Sequence, residues 1–174
     1  MKKKPGGEPS VQVHSIPPVW DVDSQVLILG SFPSVRSREA QFFYGHPQNR
    51  FWKVLTAVLG LDALPLTTDT RKTALLLSHV ALWDVIASCE VTGSSDSSIR
   101  SVVPNDVREI LCGARIRQIF CNGHTAYTLY TRHLLPLTGR EAVCLPSTSP
   151  ANASFTLERL CSEWAAIRNV LGSC

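Results

Sequence analysis

The sequence predicts an α/β fold, a three-layer α/β/α sandwich built on a four-stranded, mostly parallel sheet. Three observations carry that expectation. The run VLILG, Val26 to Gly30, is continuously apolar and ends in glycine, as a strand buried on both faces does. Strand-like and helix-like stretches then alternate, and parallel neighbours need crossover connections that are nearly always helical. Polar, proline-rich segments follow each strand, and sheets of this kind bind ligands beyond the carboxyl ends of their strands.

The elements follow in order. The first ten residues, MKKKPGGEPS, read as a flexible basic tail, which leaves residues 11–174 as one domain without internal repeats. After VLILG and a long polar connection, NRFWKVLTAVLG places Trp52, Leu55, Val58 and Leu59 on one helical face, with Gly60 as C-cap. A helix around RKTALLLSH leads into VALWDVI, whose β-branched and aromatic content predicts a strand from Val80 to Ile86. PNDVREILCG predicts a short helix bounded by Asn105 and Gly113. RIRQIFCNG is the next strand, with Asn122 and Gly123 as caps of the helix HTAYTLYTRHLL, and EAVCLPS is the last strand. In the closing helix SFTLERLCSEWAAIRNVL, the residues Leu157, Leu160, Cys161, Trp164, Ile167 and Leu171 form an apolar stripe. The polar segments GSFPS, DVIASCEVTGSSDSS, CNGH and LPSTSPANA therefore meet at one edge of the sheet.

Composition bounds the function. A chain of 174 residues with 44% hydrophobic content suits one globular domain with a full core. The formal charge of +3 is matched by Lys2, Lys3 and Lys4 alone, so electrostatics permit a nucleic-acid partner without demanding one. No apolar stretch stands behind that charge run to make a signal peptide or a spanning helix, and a cytoplasmic protein without membrane contact is expected. Six cysteines form no C-x-x-C pair. Cys112, Cys121, Cys144 and Cys161 lie in apolar runs and read as buried thiols. Cys121 and His124 make an isolated C-x-x-H with no second pair, so neither a metal nor a cofactor is expected.

The stretches LILGSFPS, FFYGHPQNRFW, ALWDVI and LPSTSPANA, in that order, resemble the uracil-DNA glycosylase superfamily, and specifically its hypoxanthine (deoxyinosine) DNA glycosylase branch. The resemblance runs from about Val26 to Trp164. It implies a glycosylase acting on DNA that contains deaminated bases, and a monofunctional, monomeric enzyme is expected. Uracil-specific members resemble a pattern with Asp or Asn in the first loop and His in the last, where this chain holds Phe32 and Leu145. Neither can polarise water or donate a hydrogen bond. The HPxN segment of the hypoxanthine branch instead makes Asn49 the candidate catalytic residue, which is also placed to cap a helix beginning at Arg50.

Glycosylases extrude the target nucleotide and hold its base by stacking and edge hydrogen bonds. Phe32 and Phe43 are candidates for the stack, and His46 and Asp84 for contacts to the base, although a turn histidine and a structural carboxylate read equally well. Ser31, Ser34, Ser147, Thr148 and Ser149 are short donors suited either to phosphates or to ordinary turns. Asn152, with Pro150 and Ala151, falls in the region resembling a DNA-wedging loop and offers nothing bulky to insert. No lysine sits in these loops to form a Schiff base, since Lys53 lies a turn into its helix and faces solvent. A noncatalytic nucleic-acid-binding module and a uracil- or mismatch-specific glycosylase are the alternatives. A serine hydrolase is the weakest, for want of a G-x-S-x-G motif.

Overall fold

The computed structural model describes residues 8–92 and 99–172. Most of the expected basic tail, with its lysines, lies outside those residues. A four-stranded parallel sheet forms the centre, in the order β3 (Val80–Asp84), β2 (Val26–Gly30), β6 (Gln118–Asn122), β7 (Ala142–Leu145). The chain fills one side of β2 and then crosses to the other, so the strand order reverses between β2 and β6. Loops diverge at such a point and leave a crevice at the carboxyl ends of the strands.

Both faces of the sheet are covered, as the VLILG run requires. Val26 and Ile28 face a layer made by α2 (Phe51–Leu59), α3 (Thr68–Leu77), α7 (Leu157–Trp164) and α8 (Ala166–Leu171). Leu27 and Leu29 face α4 (Arg108–Gly113) and α5 (His124–His133). Helix α2 ends at Gly60 in the left-handed conformation, φ 66°, as expected of that residue. Two short helices, α1 (Val35–Ala40) and α6 (Leu135–Thr138), complete the set.

Several expectations need correction. The stretch Val80 to Ile86 is not one strand: β3 ends at Asp84, and β4 (Ile86–Val91) belongs to a second sheet. Val85 marks the change. Its N–H donates to Gly30 O, while the buried Asn105 side chain donates to Asp84 O and Ile86 O across the bend. Asn105 therefore braces a turn rather than capping α4, whose first-turn Arg108 N–H donates to Asp106 Oδ1.

The second sheet is antiparallel, in the order β1 (Ser10–Val13), β4, β5 (Arg100–Pro104), and was not legible in the sequence. Ser10 pairs with Val91, so strand β1 begins inside the expected tail. Within the DVIASCEVTGSSDSS segment Ile86–Val91 form strand β4, and residues 93–98 lie outside the described residues. The closing helix breaks at Ala165 into α7 and α8, and Leu157 stays largely exposed. Among the thiols only Cys121 of the four named is fully buried; Cys112 and Cys144 are exposed and Cys161 intermediate, while Cys89 on β4 is buried. Burial pushes the Cys121 thiol up to about 12.

Candidate active site

A cavity of about 780 Å³ opens beyond the carboxyl ends of the parallel strands, within the size range of small-molecule sites. Its walls are the loops after β2, β6 and β7 together with Asp84 at the end of β3. Ser31, Phe32, Ser34, Phe43, His46, Asn49, Asp84, Ser147, Thr148 and Ser149 all line it; Asn152 does not. Sheet topology alone brings these segments together.

Asn49 sits in one wall with a fixed orientation. Its Oδ1 accepts from Phe51 N–H at 2.9 Å and from Thr148 Oγ1 at 2.9 Å. The Phe51 N–H can only donate, so the oxygen must face the protein and the NH₂ group is what Asn49 has left for the cavity. It does quiet one free N–H at the start of α2, though the N-cap position itself is Arg50. Capping and presentation of an amide donor thus coexist in one side chain.

Thr148 is fully buried, and its hydroxyl is spent on Asn49 and Asn122. Asn122 Oδ1 in turn accepts from Thr148 N–H at 3.1 Å. Thr148 is therefore an internal brace and not a phosphate donor, and Asn122 holds that brace instead of capping α5. Gly123 is the N-cap, at φ 95°, where a Cβ would approach Ser147 Cβ to 3.0 Å.

The loop after β7 is clamped from below by Arg50. Its guanidinium donates to the carbonyls of Ser149 and Asn152 at 3.0 Å each, to Phe155 O and, at 3.5 Å, to Thr148 O. Ser147 Oγ and Ser149 Oγ accept from the N–H groups of Ser149 and Ala151, and Asn152 Nδ2 donates to Ser147 O. Asn152 thus acts as a strut within its loop. Ser34 caps α1 through Ser37 N–H.

The opposite wall is built around Asp84, which is 3% exposed. Its Oδ2 accepts from His14 Nε2 at 2.8 Å, and His14 Nδ1 accepts from Ile16 N–H, which fixes the ring tautomer. The His14 ring is enclosed by Phe32, Phe43 and Trp83 at centroid distances of 6.1 to 6.4 Å. Arg38 lies over the Phe32 ring and bonds Gln12 of β1, joining the small sheet to the site. Tyr44, at φ 53°, stacks on Phe51 with centroids 3.9 Å apart and points its hydroxyl into the same wall. His46 Nδ1 accepts from Gln48 N–H, leaving Nε2–H free to donate at the rim.

Comparison with known proteins settles the family. The sequence profile of the Uracil DNA glycosylase superfamily matches residues 17–170. The chain belongs to that superfamily. Among its members, a protein of Methanosarcina acetivorans named Hypoxanthine DNA glycosylase is 34% identical over 157 residues, covering 88% of this chain and 96% of the relative. One of the same name from Methanosarcina barkeri is 31% identical over 153 residues, covering 87% and 95%. A solution NMR structure from M. acetivorans, described as a proposed uracil DNA glycosylase, superposes with a TM-score of 0.79 at 33% identity over 94% of this chain and 99% of that one. The superfamily fold is the three-layer sandwich expected from the sequence.

His14, Tyr44, Arg50 and Asn122 were missed by sequence reasoning. Tyr44 and Arg50 lie inside the motif FFYGHPQNRFW, and Asn122 ends a strand, so position alone was a signal for those three. His14 had none, because its partner is 70 residues away.

Proposed function

We propose that this protein is a monofunctional DNA glycosylase that hydrolyses the bond between deoxyribose and a deaminated base. Hypoxanthine is the first substrate, with uracil and xanthine as further candidates. The observation that carries the reading is the Asn49 amide, locked by two donors on its oxygen at the mouth of the strand-end cavity. The superfamily membership and the names of the two archaeal relatives support it.

In this reading the flipped nucleotide enters the cavity, Phe32 and Phe43 pack against the base, and Asp84 meets its edge. As the glycosidic bond breaks, its electron pair goes to the base and positive charge grows on the sugar, where water adds. Asn49 Nδ2 donates to the base as its negative charge grows, an aligned dipole that needs no reorganisation. The saturated Oδ1 makes the amide a donor to the leaving group rather than a base toward water. His46 Nε2–H at the rim is a second donor, for base or phosphate, and the hydroxyls of Ser31, Ser34, Ser147 and Ser149 face the DNA backbone. Among the described residues no lysine lines the cavity, and Lys53 is exposed, which favours water over a Schiff base as nucleophile. We take the protein to act as a cytoplasmic monomer bound to DNA.

The test is incubation with duplexes carrying one deoxyinosine, deoxyuridine or deoxyxanthosine, followed by alkali. Strand cleavage at the deoxyinosine without a borohydride-trapped adduct is expected. Asn49→Ala should slow base release by roughly 100-fold or more while lowering stability by only about 1 kcal/mol. DNA retention without cleavage would instead identify a binding module, and full activity in Asn49→Ala would remove this residue from catalysis.

A further inference from the structure

We propose that Tyr44 and Asp84 form a donor–acceptor pair that reads the lactam edge created by deamination, with His14 as the residue that positions Asp84. The inference rests on the glycosylase reading above and names how that site chooses its base.

Three features converge. Tyr44 Oη is buried and, among the described residues, has no hydrogen-bond partner of ordinary geometry; the nearby Asn122 amide favours its ionisation, less than burial and Asp84 oppose it. A buried hydroxyl left in this state is costly unless something arrives to use it. Its ring is immobilised by the Phe51 stack and by a left-handed backbone that disfavours any residue but glycine. Burial first, and the charge of Asp84 second, hold its phenol well above the usual range, so it remains a donor throughout the working pH range.

Asp84 contributes the acceptor. His14 Nε2–H occupies Oδ2, and Oδ1 receives no hydrogen bond from the described residues. Both groups meet over Gly30 at the end of the central strand: a Cβ there would overlap Asp84 Oδ1 and lie 2.8 Å from Tyr44 Oη. Only glycine leaves that corner open.

A hydroxyl donor beside a carboxylate acceptor complements a C=O next to an N–H. Hypoxanthine presents that edge as its six-position oxygen and N1–H, and uracil and xanthine carry the same arrangement. Adenine and cytosine reverse it, placing a ring lone pair against the carboxylate and an amine against the hydroxyl. The pair therefore separates a deaminated base from its parent by charge and hydrogen-bond polarity. Guanine and thymine share the lactam edge, so their exclusion falls to other parts of the cavity.

The experiment measures base release from duplexes carrying deoxyinosine or deoxynebularine, whose purine lacks both the oxygen and the N1 proton. The proteins are wild type, Tyr44→Phe, His14→Ala and His14→Gln. Binding to the same bases on a fluorinated sugar that resists cleavage is measured in parallel. Tyr44→Phe should slow deoxyinosine release by roughly 10- to 100-fold, leave deoxynebularine within about threefold and not lower the melting temperature. His14→Ala should shrink the same preference, and His14→Gln, whose amide reaches the Nε2 position, should restore most of it. Equal slowing of both substrates by Tyr44→Phe, or an undiminished preference in it, overturns the pair. A His14→Gln protein that melts like wild type yet discriminates no better than His14→Ala overturns the positioning role. If wild type never cleaves but still binds the hypoxanthine duplex in preference to the nebularine one, and Tyr44→Phe loses that preference, the edge-reading pair stands and the glycosylase reading falls.

Discussion

The two walls of the cavity handle their polar groups in opposite ways. On the Asn49 side the polar groups bond one another: Asn122, Thr148 and Asn49 Oδ1 form a chain, and Arg50 gathers the carbonyls of the loop after β7. On the Asp84 side Tyr44 Oη and one carboxylate oxygen accept or donate no hydrogen bond of ordinary geometry among the described residues. Saturated groups fix a shape, whereas unsatisfied ones store affinity for whatever completes them. A site that must hold one donor still and recognise a visiting edge has use for both.

Substitutions that unfasten the first wall should therefore cost stability as well as rate. The largest effect is expected from Arg50→Ala, which strips a forked cation from several carbonyls and should lower stability by about 3 kcal/mol in a denaturant titration. Arg50→Lys should recover little, because an ammonium cannot reproduce the fork. Gly123→Ala comes next, at about 2 kcal/mol, since it combines a positive φ with a close approach to Ser147. Thr148→Val keeps the shape and deletes the hydroxyl; a loss of about 1 kcal/mol and roughly tenfold slower base release are expected as Asn49 loosens. In contrast, Tyr44→Phe in the second wall should leave stability unchanged within about 0.5 kcal/mol. If it proved as destabilising as Thr148→Val, the contrast between the walls would disappear.

Much of this was written in the sequence because the relevant physics is local. The VLILG run announces a strand covered on both faces, Gly60 closes α2, and parallel topology alone sends the segments around Phe32, Asp84, Asn122 and Ser147 to one edge. Asn49 stood out through its motif. What stayed hidden depends on pairing across distance. Strand β1 is short and shows Val11 and Val13 to solvent, so nothing in its own residues reveals that it joins β4. The change of sheet at Val85 has no glycine or proline to announce it, because a buried Asn105 from a later segment makes the bend. The worth of Tyr44 lies in a dihedral angle and a missing partner, neither of which a residue name records.

Asp84 ends β3 of the parallel sheet, whereas His14 directly follows β1 of the small antiparallel sheet. The parallel sheet thus supplies the carboxylate, while the segment that leaves the small sheet supplies the hand that aims that carboxylate. Fidelity in such an arrangement is separable from chemistry: exchanging the leading strand between relatives would retune which lesion is accepted without touching the machinery that expels it.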